Sequence, residues 1–422
     1  GQWRGVEPDP AQFGGDMMTF LLGLLLMALL LVAGGLVLMI RRRNMHQWLP
    51  AYLRRRRPHH RGEGPVHVLF CFVDHFEPRW GGADLETERA RVARWCRDYP
   101  RLVDGHRDAD GRPPQHTFFY PEEEYRREHL EALVGLCAEG YGEIEVHLHH
   151  DDDTAENLRR TLNGFVEVLD TEHGALPRDP ATGHPVYAFI HGNWCLDNSR
   201  ADGRWCGVNN EIDILRETGC YADFTLPSAP SDTQTAQINS IYYATDDPNR
   251  PKSHDRGEPV RVGGRASGDL MIIQGPLGLA WHDRKWGLMP RIENADLRRA
   301  FPPTPARVDQ WVREGVHVEG RPEWVVVKVH THGTQEGDMD TLLGEPVDAM
   351  FEHLERAYND GERYRLHYVT ARECYNIIKA AEAGEAGDPG DFRDYRLPPP
   401  PMRAGAAQAD PAATEERSHV AS

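Results

Sequence analysis

Residues 143–153 read EIEVHLHHDDD, a β-type run that ends in His147, His149 and His150 and passes directly into Asp151, Asp152 and Asp153. Residues two apart in a strand project from one face, so His147 and His149 point together while the carboxylates stand where the chain turns out. Imidazole and carboxylate without thiolate is the donor set of catalytic zinc, and of nickel, cobalt or iron. Three such ligands with an open position leave room for a water whose pKa is brought towards neutrality. The chemistry within reach is attack on a carbonyl carbon near pH 7, with a carboxylate as base and an imidazole as acid for the leaving group.

Other runs place similar residues at their ends. Asp74 and His75 close VHVLFCFVDH, with Glu77 just behind, and His191 closes PVYAFIH ahead of Asn193 and Trp194. His330 and His332 close EWVVVKVHTH. In parallel sheets and barrels the C-terminal strand ends carry the chemistry, so four such ends form one expected site. Its metal candidates are Asp74, His75, His147, His149 and Asp153, and its acid–base candidates are Asp74, His330 and His332. His191, Asn193 and Trp194 are expected to bind substrate. Trp194 and Trp205 either stack on a sugar ring or pack in the core. His150, Asp151 and Asp152 are expected only to shape the turn. Plain roles are expected for His59 and His60 (surface), His116 (a core strand) and Glu122–Glu124 (a helix N-terminus). The seven Cys contain no C-x-x-C pair, which argues against a disulfide framework or a thiolate zinc site and leaves them as core residues.

The elements that must position these residues follow from periodicity. Strands are expected at 66–74, 115–120, 142–149, 185–191, 221–226, 270–274, 323–331 and 364–369, and helices at 86–99, 125–138, 154–169, 209–218, 305–315, 339–358 and 371–382. Repeated β-then-α order predicts a distorted (β/α) barrel of seven or eight parallel strands over 65–382, with an insertion near 227–268. Residues 383–422, rich in Pro, Gly, Ala and charge, are expected to stay disordered.

Residues 17–40 are uncharged and almost wholly apolar, which predicts a single transmembrane helix between a short N-terminal segment (1–16) and a basic juxtamembrane linker (41–64). Eight Arg against three acids give residues 1–57 a net charge of +5, whereas the whole chain carries −18, leaving −23 on the remainder. That balance excludes a nucleic acid as partner of the main domain. Seven Arg within 41–57, with no acid among them, place the large domain on the cytoplasmic side of a bacterial-type inner membrane.

The order of elements resembles the polysaccharide deacetylase superfamily, the NodB-type carbohydrate esterases, over roughly residues 65–380. The first motif of that family is an Asp-Asp pair, and FCFVDHFEP offers Asp74 followed by His75. Its second, His-x-x-x-His, is similar to the run from His149 to Asp153, and its fifth, an apolar strand ending in His, to VVVKVHTHG. FIHGNW and GCYADFTLPSAP stand near the third and fourth. The match is in motif order and type. The resemblance implies a divalent metal, Zn2+ by preference, at a barrel mouth, and removal of an acyl group from an N-acylated sugar or polysaccharide. It implies that Asp74 is either a metal ligand or, in the preferred register, the base, with His75 in place of the usual metal carboxylate. It also implies an extracytoplasmic domain, the alternative to the cytoplasmic one read from charge. Two rivals stand beside this reading. One is a metal-independent glycosidase using two carboxylates about 5–9 Å apart, and the other a non-catalytic carbohydrate-binding component of a polysaccharide assembly system.

Overall fold

A computed structural model describes residues 10–56, 64–285 and 287–402; His59 and His60 lie outside the described residues. The strands are β1 (Val66–His75), β2 (His116–Pro121), β3 (Gly142–Leu148), β4 (Tyr187–His191), β5 (Cys220–Asp223), β6 (Ile241–Ala244), β7 (Glu258–Pro259), β8 (Leu270–Ile273), β9 (Gly278–Lys285), β10 (Met289–Glu293), β11 (Asp296–Leu297), β12 (Trp324–Thr331) and β13 (Tyr364–Val369). The helices are α1 (Pro10–Arg42), α2 (Met45–Arg54), α3 (Leu85–Val103), α4 (Arg127–Leu136), α5 (Ala155–Thr171), α6 (Glu211–Glu217), α7 (Pro305–Glu314), α8 (Glu336–Leu342), α9 (Glu345–Tyr358) and α10 (Ala371–Ala383). Side-chain caps start several of them: Asp84 accepts from Thr87 N, Thr154 from Asn157 N, and Thr370 forms a capping box with Glu373. The helix expected over 339–358 is two, because the chain leaves helical geometry at Gly344 and restarts with Pro346 in the first turn.

The main sheet runs β11-β12-β1-β2-β3-β4-β5-β8-β6-β7, with β13 paired to the first half of β1. Parallel pairing dominates, and the sheet curls into a half-barrel. The closure expected from seven or eight βα units is absent from the strand pairings of the described residues. β6, from the 227–268 insertion, pairs antiparallel with β8 and takes the edge that closure needs. Across the gap Lys328 Nζ donates to Phe224 O at 2.6 Å and Leu226 O at 2.5 Å, joining β12 to the end of β5 through a side chain.

Strand alternation divides the interior in two. Phe70 and Phe72, Val146 and Leu148, Phe189, and Val327 and Val329 face an outer core shared with α3, α4, α5, α7 and α9. Leu69, Cys71 and Val73, Ala188 and Ile190, and Val326 face an inner core that Cys374, Ile377 and Ile378 of α10 help fill. Beyond α10 the expected loose tail is packed as far as the description reaches. Leu397 is buried, and its carbonyl accepts from Arg372 Nη1 and Asn376 Nδ2, both at 2.8 Å.

Thr19–Arg42 of α1 has mean hydropathy 2.8 and no burial, long and apolar enough to cross a membrane. The basic segment after it is structured. Met45 and Trp48 of α2 bury against Ala229, Ile238, Leu277 and Leu279, and full burial of Trp48 contributes roughly 2–3 kcal/mol. Asn44 Nδ2 donates to Pro230 O at 3.0 Å, so the apolar helix joins the domain beside the loop that leaves the C-terminal end of β5.

Candidate metal centre

His75, Glu77 and His147 each offer a donor atom, and these atoms lie within 4.8 Å of one another at the C-terminal ends of β1 and β3. Alternation explains the set: His75 continues the inner face of Leu69, Cys71 and Val73, and His147 lies on the face opposite Val146 and Leu148. His147 Nδ1 donates to Ile190 O at 2.7 Å, which leaves Nε2 as the atom that faces the cluster. That Nε2 faces Glu77 Oε1 at 3.3 Å. His149 repeats the arrangement, with Nδ1 2.5 Å from Glu123 Oε1 and Nε2 3.5 Å from Glu77 Oε1. Two imidazole nitrogens converge on one carboxylate oxygen, where ring protons or a bound cation satisfy the charge. A ring orientation fixed by a carbonyl or carboxylate behind each imidazole is the usual support of a metal-binding histidine.

Imidazoles and carboxylates pair here: burial works to lower His149, but Glu123 and Glu77 outweigh it and raise it. Burial works to raise Glu77, but the imidazoles of His147, His332 and His149 outweigh it and hold its carboxyl below the usual range. Burial, reinforced by His332 and His147, pushes His75 well below an ordinary histidine and keeps it neutral, the form that donates a lone pair. His332 stacks on His75 with centroids 4.5 Å apart, and Trp194 meets the edges of both rings at 6.0 and 5.7 Å. His149 keeps 31% of its side chain exposed, so solvent reaches the cluster from that side.

Not every expected residue joins it. Asp74 lies on the outer side of β1 with Phe70 and Phe72, where Oδ1 accepts from Gly333 N at 2.6 Å and Oδ2 pairs with His116 Nε2 at 3.0 Å. The carboxylate is fully buried and braces the turn after β12 against β2, away from the face that carries His75. His330 is also buried, its Nδ1 without a partner, and is held neutral by burial and Lys328. Asn193 and Trp194 both adopt left-handed backbone in the loop after β4.

His191 and Asp153 belong to a second cluster. His150, His191, Cys206 and Glu211 also gather donor atoms within 4.8 Å, and Asp153 Oδ2 pairs with His150 Nδ1 at 2.9 Å. His191 shares the outer face of β4 with Phe189, so this cluster lies on the opposite side of the sheet from His147. A third gathering, His67, His367 and Asp388, sits at the start of β1 and along β13. There Arg365 already lies 3.1 Å from Asp388, and Arg393 2.8 Å from the Asp110 that pairs with His367.

Sequence reading found the paired histidines of β3 and missed Glu123, Cys206 and Glu211. Glu123 carried the available signal, an acid at a fifth strand end. Cys206 and Glu211 lie in loop and first-turn positions that no strand-end rule reaches. Neither a family model nor a curated protein matches this chain.

Proposed function

We propose that the protein is a membrane-anchored, metal-dependent hydrolase that removes an acyl group from an N-acylated sugar. The observation that carries this reading is the convergence of His147 Nε2 and His149 Nε2 on Glu77 Oε1, with both Nδ1 atoms already committed. His147, His149 and Glu77 would hold the cation, with His75 as a further donor, a His-and-carboxylate set of the type found in catalytic zinc sites. Bound there, a divalent ion supplies a Lewis acid and a water of lowered pKa. Glu123 orients His149 through its Nδ1. His332, held by stacking on His75 rather than buried in the core, is the imidazole placed to give a proton to a departing amine, and Trp194 offers a ring edge and face beside it. Asp74, expected as base or ligand, acts in this account by holding the β12 turn that presents His332.

The substrate we favour is a lipid-linked or nucleotide-linked sugar on the cytoplasmic side. The Arg-rich segment after the apolar helix supports that side, and Asn44 ties the end of the helix to the loop after β5. Protease digestion of intact cells tests the side: an uncut domain is expected, and a cut one returns the substrate to the cell exterior. Free amine released from an N-acetylated glucosamine oligomer by detergent-solubilised full-length protein tests the activity. His149→Ala is expected to lose both turnover and the cation of this cluster, and a metal-replete wild type without turnover on N-acylated sugars would overturn the reading.

A further inference from the structure

We infer that the outer cluster, His150, His191, Cys206 and Glu211, is a second cation site, closed and structural, for a thiophilic divalent ion of the zinc type. Four donors of three chemical kinds come from the end of β3, the end of β4, the loop 192–210 and the first turn of α6. His150 Nε2 and His191 Nε2 face each other at 2.8 Å, and Glu211 Oε1 stands 3.3 Å from each. Their other nitrogens are committed: His150 Nδ1 to Asp153 Oδ2 at 2.9 Å, and His191 Nδ1 to Gly192 O. With one nitrogen of each ring committed, His150 Nε2, His191 Nε2 and Glu211 Oε1 are three potential ligand atoms gathered in a site where His191 and Glu211 are fully buried. A single shared proton satisfies one pair of these atoms, whereas a cation satisfies all of them.

Two further observations point the same way. Cys206 Sγ lies 3.2 Å from Asn198 N and 3.5 Å from Val208 N, the backbone donors that a metal-bound thiolate needs, and 3.2 Å from Glu211 Oε2. The loop that supplies it is strained: Asn193, Trp194, Asp197, Asn198 and Trp205 all have φ between 49° and 71°. Such a conformation persists in non-glycine residues only where surrounding contacts over-determine it, and for the two tryptophans it is a marked outlier. A cation tying Cys206 and Glu211 to His150 and His191 clamps both ends of that loop. Two imidazoles, a thiolate and a carboxylate form a four-donor set that fills a tetrahedral ion and leaves no open position, and the sulfur disfavours magnesium and calcium. The clamp also serves the inner cluster, because the clamped loop carries Trp194 against His75 and His332. Gly192, at its start, lies so close to the His149 ring that a Cβ would stand 2.3 Å from Cδ2.

The test uses full-length protein in detergent, reconstituted with Co2+. A sulfur-to-cobalt charge-transfer absorption in the near ultraviolet is expected from the wild type, retained in His147→Ala and lost in Cys206→Ser. Metal content should fall from two equivalents to one in each variant, with a different site emptied. Absence of the sulfur band in the wild type would overturn the proposal, as would its survival in Cys206→Ser. The wild-type spectrum decides the matter even if Cys206→Ser does not fold. Loss of the inner cation alone leaves the sulfur band in place, so failure of the proposed hydrolase reading is distinguishable from failure of this one.

Discussion

The two histidine clusters differ by one residue in sequence and by a whole sheet in space. His149 belongs to the inner cluster and His150 to the outer, because the strand ends at Leu148 and the chain beyond it turns from one face to the other. The inner cluster reaches solvent through His149 and Glu123, carries a stacked, undercommitted His332 and offers only nitrogen and oxygen donors. The outer one is sealed, adds a sulfur donor and closes its set at four. Openness is therefore what separates a site fit for chemistry from one fit for holding a loop.

The largest effect should come from removing inner donors. His147→Ala or Glu77→Gln is expected to lower turnover about a thousandfold, the scale of several kcal/mol of Lewis-acid stabilisation, while the outer cation stays bound. Equal loss from both clusters would erase the distinction. His332→Ala should lower kcat about a hundredfold with inner metal content unchanged, as expected for a proton donor that is not a ligand. Metal lost together with activity would make it a ligand instead.

Smaller effects probe the supports. Glu123→Gln leaves the His149 ring in place but weakens its orientation, and should reduce inner cation affinity by roughly 10–100-fold in a competitive chelator titration. Asp153→Asn should act on the outer cation in the same way, with turnover changed only a few-fold. If Asp153→Asn instead matched His147→Ala in activity, the structural role of the outer cluster would fail. Acidification should release cations from both, since imidazole ligands must be deprotonated and compete with protons as pH falls.

How much of this was legible in the sequence depended on the local rule. Period-2 alternation placed His147 and His149 on one face, and the eight expected strands are among the thirteen observed in the described residues. The same rule, applied to VDH, separates Asp74 from His75, yet motif order grouped them, and Asp74 turns out to face Gly333 and His116. His191 was expected to touch substrate because it ends a strand, but its register on β4 sends it outward with Phe189. Strand ends give height in the sheet, and parity gives the side; both are needed. Half-barrel closure was beyond reach because it turns on β6 pairing antiparallel to β8, which comes from an insertion with no periodic signal. Cys206 and Glu211 become neighbours of His191 only through a loop with five left-handed non-glycine residues.

The proposed hydrolase activity requires a cation in the inner cluster, and chelation tests that requirement directly. Full-length protein stripped with a chelator and freed of it should release no amine from an N-acetylated sugar oligomer, and stoichiometric Zn2+ should restore turnover in the wild type but not in His147→Ala. Full turnover by the stripped, metal-free wild type would contradict it.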